Sequence, residues 1–273
     1  MVTDSIDSAG RAGGSIGYAN DGSVGAITGI STVASPAESA KSGYVAQLAE
    51  PIGLQLAAPL TTVNEVSSIQ LSGSVLLDDQ STYDLPATFI TWGILSGPLS
   101  IDANGRALAG TVYQNTAATV LGSYATFTAT LNLTVLNVNT DDYGTYAGDG
   151  IDDAWQVRYF GLPPNGNAGP NVDFDHTGQT NFFKYIAGLD PLDNTSIFTL
   201  TIAPVPGQPG QRNLIFTPIV LGRTYTVKFS PDLNVPWVML TGTTQSDSGA
   251  RRIVTDLGAT QDQKFYHVEI TKP

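Results

Sequence analysis

The residues of this chain with the clearest capacity for chemistry are acidic side chains in two glycine-containing loops between residues 149 and 193. The first loop reads DGIDDAWQVRYFG and the second reads DFDHTGQTNFFKYIAGLDP. Calcium prefers several oxygen ligands, and a calcium loop supplies them from positions 1, 3, 5, 7, 9 and 12 around a glycine at position 6. The spacing of the acidic residues therefore indicates calcium loops.

The second loop carries oxygen-bearing residues at most of the positions that such a loop requires. With Gly178 at position 6, the residues at positions 1, 3, 5 and 9 are Asp173, Asp175, Thr177 and Asn181. Position 12 normally supplies a glutamate that binds calcium through both oxygens. This chain has Lys184 there instead. The sequence therefore predicts a poor autonomous site with two carboxylates and no closing glutamate.

The first loop is also incomplete. With Gly150 at position 6, the candidate ligands at positions 5 and 9 are Asp149 and Asp153, and position 12 is Gln156 instead of glutamate. Positions 1 and 3 fall on residues with little ligand chemistry, Thr145 and Ala147. Oxygen-bearing residues that can fold back from an upstream insertion are Asn139, Asp141 and Asp142.

An ion-free interpretation stays open beside the calcium one. Asp149 and Asp152 can cap a first helix, because carboxylates favour the N-terminal end of a helix dipole, and Thr180 can cap a second helix. Gly161 and Gly188 are ordinary C-terminal stops. The spacing also predicts inward-packing apolar stripes, Ile151, Trp155 and Tyr159 on the first helix and Phe182, Phe183 and Ile186 on the second. Under either interpretation the helices join two β-domains.

The paired segment resembles the dockerin-like and thrombospondin-type-3-like calcium motifs of secreted bacterial proteins. Those motifs read DxDGDGxxDxWE…YFG and then DxDGDGxxNxxEYxAGTDP, and residues 149–193 follow the pattern. The departures are Gln156 and Lys184 in place of the two glutamates, and Thr177 in place of an aspartate. The resemblance implies bound calcium, with acidic residues near the closing Asp-Pro, Asp190 and Asp193, completing a site.

The overall charge excludes some partners and sites. The chain of 273 residues has only 12 Lys plus Arg and a net charge of −12. Nucleic-acid binding needs clustered cations, so we expect no such partner. The absence of cysteine excludes disulfides, thiolate metal sites and cysteine nucleophiles. Charged residues make up 13% of the chain, about half the usual share. This polar but charge-poor composition is typical of extracellular β-proteins.

The sequence lacks membrane and targeting signals. Its first residues, Met1-Val-Thr-Asp-Ser-Ile-Asp, have neither the basic nor the apolar region of a signal peptide. No run approaches the roughly 18 apolar residues of a membrane span. We therefore expect the mature form of a secreted or cell-surface protein, without a membrane span.

Outside the acidic loops the chain predicts a mainly β protein. In residues 51–137, apolar positions alternate with polar ones, as in the stretch Ile69 to Leu77, and turn signals recur about every ten residues. Asn104-Gly105 predicts a two-residue hairpin. Residues 194–273 alternate again. We therefore predict a β-sandwich at 51–137, a helical acidic-loop insert at 138–193 and a second β-sandwich at 194–273.

Residues 1–50 are rich in glycine, serine and alanine. One interpretation is a flexible leader. The other is a set of short strands that need a partner sheet, which a neighbouring copy can supply.

The first sandwich resembles the bacterial immunoglobulin-like domains of surface proteins. The resemblance lies in TTVNEVSSIQLSGSVLLDD, ITWGILSGPLSIDANGRALAGTVYQNTAATV and LNLTVLN. Residues 194–273 are similar to fibronectin type III modules. The order of all these parts resembles a group of secreted verrucomicrobial-type proteins of undefined activity. The resemblance implies a structural spacer or adhesive module with no catalytic residues.

The sequence offers little for catalysis. The two histidines, His176 and His267, lack a G-x-S-x-G serine or an HExxH partner. His267 is predicted to face solvent. The two carboxylates of a glycoside hydrolase can be far apart in the sequence and close together in the fold. A hydrolase is therefore a third hypothesis.

Two non-catalytic functions rank ahead of it. The first is an extracellular structural subunit that polymerises into a filament or surface layer by β-strand addition, because such contacts do not close on themselves. The second is an adhesin or carbohydrate-binding module, whose exposed aromatic residues would be Tyr113, Tyr124, Tyr143 and Tyr146. Half-buried packing tyrosines are the alternative interpretation of these four.

Overall fold

The structure is a computed structural model that describes residues 49–261 and 263–273 in full, together with the backbone of four short strands before residue 41. The chain is mainly β with two short helices, as the sequence predicted. It divides into two compact units. The first contains Met1–Gly110 and Thr116–Leu136, and the second contains Thr111–Asn115 and Asn137–Pro273.

The four N-terminal strands form two separate ribbons. Strand β1 (Ala9–Ser15) pairs antiparallel with β2 (Tyr18–Val24), and β3 (Val33–Ala34) pairs antiparallel with β4 (Ser39–Ala40). Among the strands that the structure describes, each of these four pairs only with its ribbon partner. The other residues of the predicted N-terminal strand region, up to residue 48, lie outside the described part of the chain.

Ten further strands build the first unit. In chain order they are β5 (Pro51–Ala57), β6 (Thr62–Asn64), β7 (Ser68–Gln70), β8 (Ser72–Leu77), β9 (Thr82–Leu85), β10 (Thr91–Ser96), β11 (Leu99–Ile101), β12 (Arg106–Ala109), β13 (Thr116–Tyr124) and β14 (Phe127–Leu136). They form three sheets with the orders β10-β13-β14-β6, β11-β12-β7 and β5-β8-β9. The pairing of β6 with β14 is parallel, whereas the other pairs are antiparallel.

Alternation predicted the buried face of this unit but not its sheets. Ile69, Leu71, Gly73 and Val75 are all buried, as the pattern requires. The stretch nevertheless breaks at Leu71, where β7 ends and β8 begins in a different sheet. Because a bend at one residue preserves the period of two, the alternation cannot reveal it.

The core of the first unit is packed closely around a glycine. Leu54, Val75, Leu85 and Ile90 form its buried cluster. A Cβ atom added at Gly73 would lie 2.5 Å from Ile90 Cδ1 and 3.2 Å from the carbonyl oxygen of Gln55. The glycine is therefore needed for the close approach of the Ile90 side chain and strand β5 to strand β8.

The predicted hairpin at Asn104-Gly105 forms with a longer loop. Strands β11 and β12 pair up to Ile101 and Ala107, so the connection exceeds two residues. Asp102 Oδ1 accepts hydrogen bonds from the backbone N–H groups of Asn104 and Arg106, at 2.9 Å and 3.0 Å. The aspartate thereby supplies the turn that the two-residue prediction assigned to Asn-Gly alone.

Two helices follow in the second unit, α1 (Asp153–Phe160) and α2 (Asn181–Ala187). Neither these nor any other helix in the described part of the chain has the length and apolar character needed to cross a membrane. Asp152 caps α1 and Thr180 caps α2, and α2 ends at the left-handed Gly188, as predicted. Asp149 does not cap the helix, because its carboxylate accepts the N–H of Ile151 before the helix begins.

Seven strands complete the second unit. They are β15 (Thr199–Val205), β16 (Gln208–Thr217), β17 (Thr224–Ser230), β18 (Val238–Met239), β19 (Thr243–Ser248), β20 (Arg251–Asp256) and β21 (Phe265–Thr271). They form two antiparallel sheets, β15-β16-β20-β19 and β18-β17-β21. The core of this unit contains Leu214, Phe216, Val227, Leu240 and Val254, which come from both sheets or their immediate flanks.

The prediction for His267 was wrong. Its ring is half-buried, with its centroid 4.4 Å from the ring of Trp237. The sequence alternation placed His267 on the outer face of β21, but the segment before β18 covers that face with an indole ring.

Candidate functional site

The two helices of the second unit turn polar residues inward. The fully buried side chains of α1 include Asp153 and Gln156, and those of α2 include Asn181 and Lys184, each at most 1% exposed. These four residues occupy positions 9 and 12 of the two acidic loops. Phe182 of the predicted apolar stripe is instead 41% exposed. The predicted inward aromatic stripes are therefore wrong in part, because the loops set which helix face is buried.

Trp155 and Tyr159 are likewise only partly buried on α1, while Ile151, just before the helix, is fully buried. The rings of Trp155 and Tyr159 are 4.9 Å apart. Both rings keep part of their surface open to solvent. The aromatic side of the helix is therefore available to line a surface cavity.

Asp173 organises the start of the second loop. Its Oδ1 accepts the backbone N–H of Thr177 at 3.0 Å, and its Oδ2 accepts that of Gly178 at 2.7 Å. The Thr177 hydroxyl in turn donates to Asp175 Oδ1 at 2.9 Å. The loop therefore has the backbone turn of a calcium loop, built around its predicted residues at positions 1, 3 and 5.

The ammonium group of Lys184 closes this loop. Lys184 Nζ makes an ion pair with Asp175 Oδ2, and it donates to the carbonyl oxygens of Asp190 at 3.3 Å and Ser196 at 3.1 Å. The side chains of Lys184 and Asp175 are only 1% and 4% exposed. Burial alone would raise the pKa of Asp175, but hydrogen bonds from Lys184 and Thr177 hold this pKa below its ordinary value.

The other two predicted ligands of the second loop have different contacts. The Asn181 side-chain amide donates to the carbonyl oxygens of Asn167 and Gly169, at 2.8 Å and 3.0 Å. Asp190 reaches Lys184 through its backbone carbonyl, whereas its carboxylate accepts the N–H of Leu192 at 2.8 Å. Asp190 therefore contributes to the loop through its main chain.

In the first loop, Asp141 takes the role that the alignment assigned to Thr145. The insertion folds back, and Asp141 Oδ1 accepts the N–H of Gly148 at 2.7 Å and of Asp149 at 3.2 Å. Asp141 Oδ2 accepts the N–H of Gly150 at 2.9 Å. Asp173 makes the equivalent contacts in the second loop. Asp141 is one of the three upstream residues that the sequence indicated could fold back, and these contacts identify it as the one that replaces Thr145.

Gln156 closes the first loop as a hydrogen-bond donor. Its Nε2 donates to Asp149 Oδ2 at 2.8 Å and to the carbonyl oxygen of Ala168 at 3.0 Å. Both loops therefore carry, at position 12, a side chain that donates to a loop carboxylate. A glutamate at this position would only accept.

Asp153 carries the clearest electrostatic cost of the first loop. Its Oδ2 accepts the N–H groups of Asp142 at 2.7 Å and Tyr143 at 2.8 Å. Burial raises the pKa of Asp153, and the neighbouring carboxylates of Asp141 and Asp142 add to this rise while the two N–H bonds oppose it. The pKa of Asp153 is therefore raised overall.

Some buried acceptor oxygens near these loops have no hydrogen-bond partner in the described part of the chain. They include Asp153 Oδ1, Gln156 Oε1 and Asn181 Oδ1. Buried acceptors without donors are costly, and a cation is one group that can satisfy them. Among the described residues, no three carboxylate or imidazole side chains converge closely enough to hold a metal ion. A cation would therefore also need amide and carbonyl oxygens.

The two loops differ in how they fit calcium. The first loop fits in part, because Asp153 and Gln156 offer buried oxygens that lack donors. The second loop does not fit, because the Lys184 ammonium already contacts the Asp175 carboxylate that a calcium ion would need. A positive charge beside that carboxylate disfavours a second cation there.

A cavity of about 460 Å³ lies beside these helices. Its lining includes three aromatic residues and four charged ones, of which three are cations: Trp155, Tyr159, Tyr185, Arg158, Arg223, Lys272 and the single acid Asp152. No single stretch of the sequence predicts this cavity, because its residues come from α1, α2, the turn before β17 and the end of the chain.

Aromatic rings contact two of these three cations. Lys272 Nζ lies 3.9 Å from the ring centroid of Tyr185 and also bonds its hydroxyl. Arg158 Cζ lies 5.3 Å from the ring centroid of Tyr159. Arg223 donates to the carbonyl oxygen of Tyr185 at 3.2 Å, and its buried Nε has no hydrogen-bond partner among the described residues. The cavity thus combines flat apolar surfaces with positive charge.

The four tyrosines proposed as glycan contacts are packing residues to different degrees. Tyr146 is 3% exposed and donates to the carbonyl oxygen of Gly161 at 2.9 Å. Tyr124 packs against the core of the first unit. Tyr113 and Tyr143 contact each other edge to face, with ring centroids 5.3 Å apart. Packing is therefore the better interpretation of Tyr124 and Tyr146.

Comparison with known proteins gives little further information. No protein-family model and no curated protein match the chain. Among solved structures, the crystal structure of the S-layer protein rSbsC(31-844) aligns with 82% of this chain, at 13% identity and a TM-score of 0.29. The alignment covers 27% of that protein, so this chain spans about a quarter of its length. A likeness of this strength does not support a functional conclusion.

Proposed function

We propose that this chain is a non-catalytic extracellular structural subunit that assembles into a filament or surface layer by β-strand addition. The observation that carries the proposal is the pairing of the N-terminal strands, because β1 and β2 pair only with each other among the described strands. An isolated two-stranded ribbon is marginally stable in water. Such a ribbon gains stability when it adds to the sheet of a neighbouring copy.

Strand β19 offers an edge that can receive such a strand. It lies at the end of the sheet β15-β16-β20-β19, and all six of its residues are exposed. An edge strand presents unpaired N–H and C=O groups, which are a template for another strand. Addition of the N-terminal ribbon of one copy to β19 of the next is a head-to-tail contact, and open contacts of this kind produce fibres.

The polar, charge-poor composition supports an extracellular location for such a subunit. Calcium belongs to the proposal at the first loop alone, where buried oxygens of Asp153 and Gln156 lack donors. There a bound ion would stiffen the segment that precedes α1, without taking part in any reaction.

Deletion of residues 1–35 tests the assembly directly. We expect the full-length chain to form fibres or sheets under negative-stain electron microscopy, and the deleted chain to sediment as a monomer. Fibres that persist after the deletion would contradict the proposal.

A second pair of variants tests the receiving edge. The double variant Thr244→Lys with Ser246→Lys places two positive charges on β19. Lysine side chains on the edge strands of natural sheets prevent pairing with another strand. The matched control is Gln208→Lys with Gln263→Lys, which adds the same charge at exposed positions outside β19. We expect assembly to be lost in the first variant and kept in the control. If the β19 variant assembles as well as the control, β19 is not the edge that receives the strand.

The cavity beside α1 and α2 favours a second candidate function, the binding of an acidic saccharide. Aromatic rings provide flat surfaces against which sugar rings pack, and the cations suit a carboxylate. The volume of about 460 Å³ lies in the range of roughly 300–1,000 Å³ that is common for small-ligand pockets. An array of neutral and uronate-containing oligosaccharides tests this candidate on the monomeric deleted chain.

The matching variants are Arg158→Ala with Lys272→Ala, and Arg106→Ala as a control that removes an exposed cation from the first unit. We expect binding of uronate-containing probes to weaken at least about tenfold in the double variant, a loss of roughly 1.4 kcal/mol, and to stay unchanged in the control. If the parent chain binds no saccharide on the array, this candidate function is excluded.

A further inference from the structure

We propose that the ammonium group of Lys184 takes the place of a calcium ion in the second loop, so that this loop closes without metal. A lysine ammonium has three hydrogen-bond donors. Lys184 Nζ contacts three oxygen acceptors, the Asp175 carboxylate and the carbonyl groups of Asp190 and Ser196. Every donor of a cation that is 1% exposed is therefore satisfied by oxygen, the ligand atom that calcium would also use.

The position of Lys184 in the chain explains how this replacement arises. Lys184 stands at position 12 of the loop, where a calcium loop has a glutamate that reaches inward. A lysine at the same position also reaches inward, but it brings the positive charge instead of a ligand. The remaining parts of the loop keep their arrangement, since Asp173 still accepts the N–H groups of Thr177 and Gly178.

The same contacts join three segments of the second unit. Asp175 lies in the loop, Lys184 lies in α2, and Asp190 and Ser196 lie on the path to β15. A calcium ion commonly connects such segments by binding oxygens from each. In this chain the connection is part of the polypeptide, so it is independent of the calcium concentration. This inference does not depend on how the chain assembles.

Substitution of Lys184 by glutamate tests the replacement. Lys184→Glu removes the ammonium and restores the residue that a calcium loop needs. The control is Lys228→Glu, which makes the same charge change at a lysine whose ion pair with Glu269 is partly exposed. Calcium titration by isothermal calorimetry on the full chain should count one more bound ion in Lys184→Glu than in the parent, and no more in the control.

The gained site should also appear as calcium-dependent stability. Lys184→Glu should melt at a lower temperature than the parent in chelator and recover when calcium is added. A folded Lys184→Glu protein that gains no calcium site would overturn the proposal.

A second variant keeps the test decisive if Lys184→Glu fails to fold. Asp175→Asn in the otherwise unchanged chain removes the carboxylate that pairs with Lys184. The proposal expects the same number of bound calcium ions as in the parent. Loss of one bound ion in Asp175→Asn would show that the second loop of the parent holds calcium, and would overturn the replacement by Lys184.

Discussion

Lys184 and Asp175 form a buried ion pair, so removal of either charge leaves the other buried without a counter-charge. Lys184→Met keeps most of the side-chain volume but leaves Asp175, 4% exposed, without its cation. Breaking a buried pair on one side costs about 3–5 kcal/mol. We expect a loss of that size in urea unfolding of Lys184→Met. Lys228→Met, which breaks an exposed pair, should cost at most about 1 kcal/mol, and similar losses in both variants would contradict the buried role of Lys184.

Asp153 should destabilise the protein at neutral pH when calcium is removed. Its folded-state pKa is raised, so the folded protein binds a proton more tightly than the unfolded chain. Stability from this group therefore increases as the pH falls through the interval between the ordinary and the raised pKa. Asp153→Asn keeps an oxygen for the N–H groups of Asp142 and Tyr143 and removes the charge.

We expect Asp153→Asn to stabilise the calcium-free protein at neutral pH by on the order of 1 kcal/mol. The difference from the parent should shrink on acidification, and added calcium should stabilise the parent more than the variant. Urea unfolding between about pH 7 and pH 4, with and without chelator, measures all three effects. A less stable Asp153→Asn protein in chelator would contradict this account of the first loop.

Asp256 changes the pH dependence of stability in the opposite direction to Asp153. Burial alone would raise its pKa, but hydrogen bonds from Lys264, the Gly258 N–H and the Tyr266 hydroxyl hold it below its ordinary value. Its contribution to stability is therefore present above the ordinary aspartate pKa and is lost as the pH falls through the lowered one. As the pH falls, protonation of Asp153 stabilises the folded protein and protonation of Asp256 destabilises it. The effect of Asp153 is therefore best measured as the difference in unfolding free energy between Asp153→Asn and the parent at each pH.

At the residue scale, the sequence predicted which side chains form the turn of the second loop but not how that loop is closed. Asp173, Asp175 and Thr177 form the turn that their spacing indicated. The direction of the Lys184 side chain was not readable, because a lysine after a loop is usually solvated and spacing carries no information on burial. The sequence identified Asp141 as one of three upstream residues that can fold back onto the first loop, but the insertion hid which of the three does so.

The helices were predictable as elements because their ends have local causes. Asp152 and Thr180 accept N–H groups of the first turns, and Gly161 and Gly188 end the helices. Which face is buried depends on the loops, and aromatic periodicity therefore gave the wrong inner face. For the β-strands too, the local pattern predicted only part of the structure. Alternation identified the buried residues but not the change of sheet at Leu71.

Thr180 tests how much the cap contributes to α2. Its Oγ1 accepts the N–H of Phe183 at 3.3 Å. Thr180→Ala removes the acceptor and should cost about 1 kcal/mol, whereas Thr180→Ser keeps it and should cost much less. Thermal unfolding of the two variants makes the comparison. Equal losses would mean that the methyl group of Thr180 matters more than its hydroxyl.

Gly73 tests how closely the Ile90 side chain packs on strand β8 in the first unit. A new Cβ atom would overlap Ile90 Cδ1 at 2.5 Å, so Gly73→Ala should cost about 1–3 kcal/mol from overpacking. Gly53→Ala is the matched control on the neighbouring strand β5, because its Cβ atom would lie 3.9 Å from Leu76 Cβ. Denaturant unfolding should separate the two variants, and a neutral Gly73→Ala would show that Ile90 can move aside.

At the scale of the whole molecule, residues 137–273 do not form a complete unit. The second unit also contains Thr111–Asn115. Within it, Asn115 Oδ1 accepts the N–H of Asn137 at 2.9 Å, and Tyr113 packs against Tyr143. A fragment of residues 137–273 should therefore melt at a lower temperature than the same unit in the full chain. Equal melting would show that Thr111–Asn115 adds nothing to its stability.

The overall β architecture was predictable because alternation and turn signals are local. The excursion at Thr111–Asn115 was not, since five residues that leave one unit and return to it carry no periodic pattern.

This excursion has a mechanical consequence. The backbone passes between the two units three times, after Gly110, after Asn115 and after Leu136. A pulling force applied at the two ends of the chain cannot separate the units by straightening a single tether. It must first extract Val112, which is 3% exposed, and its neighbours from the second unit or peel β13 and β14 from the first. Separation of the units by force therefore requires part of one unit to unfold first.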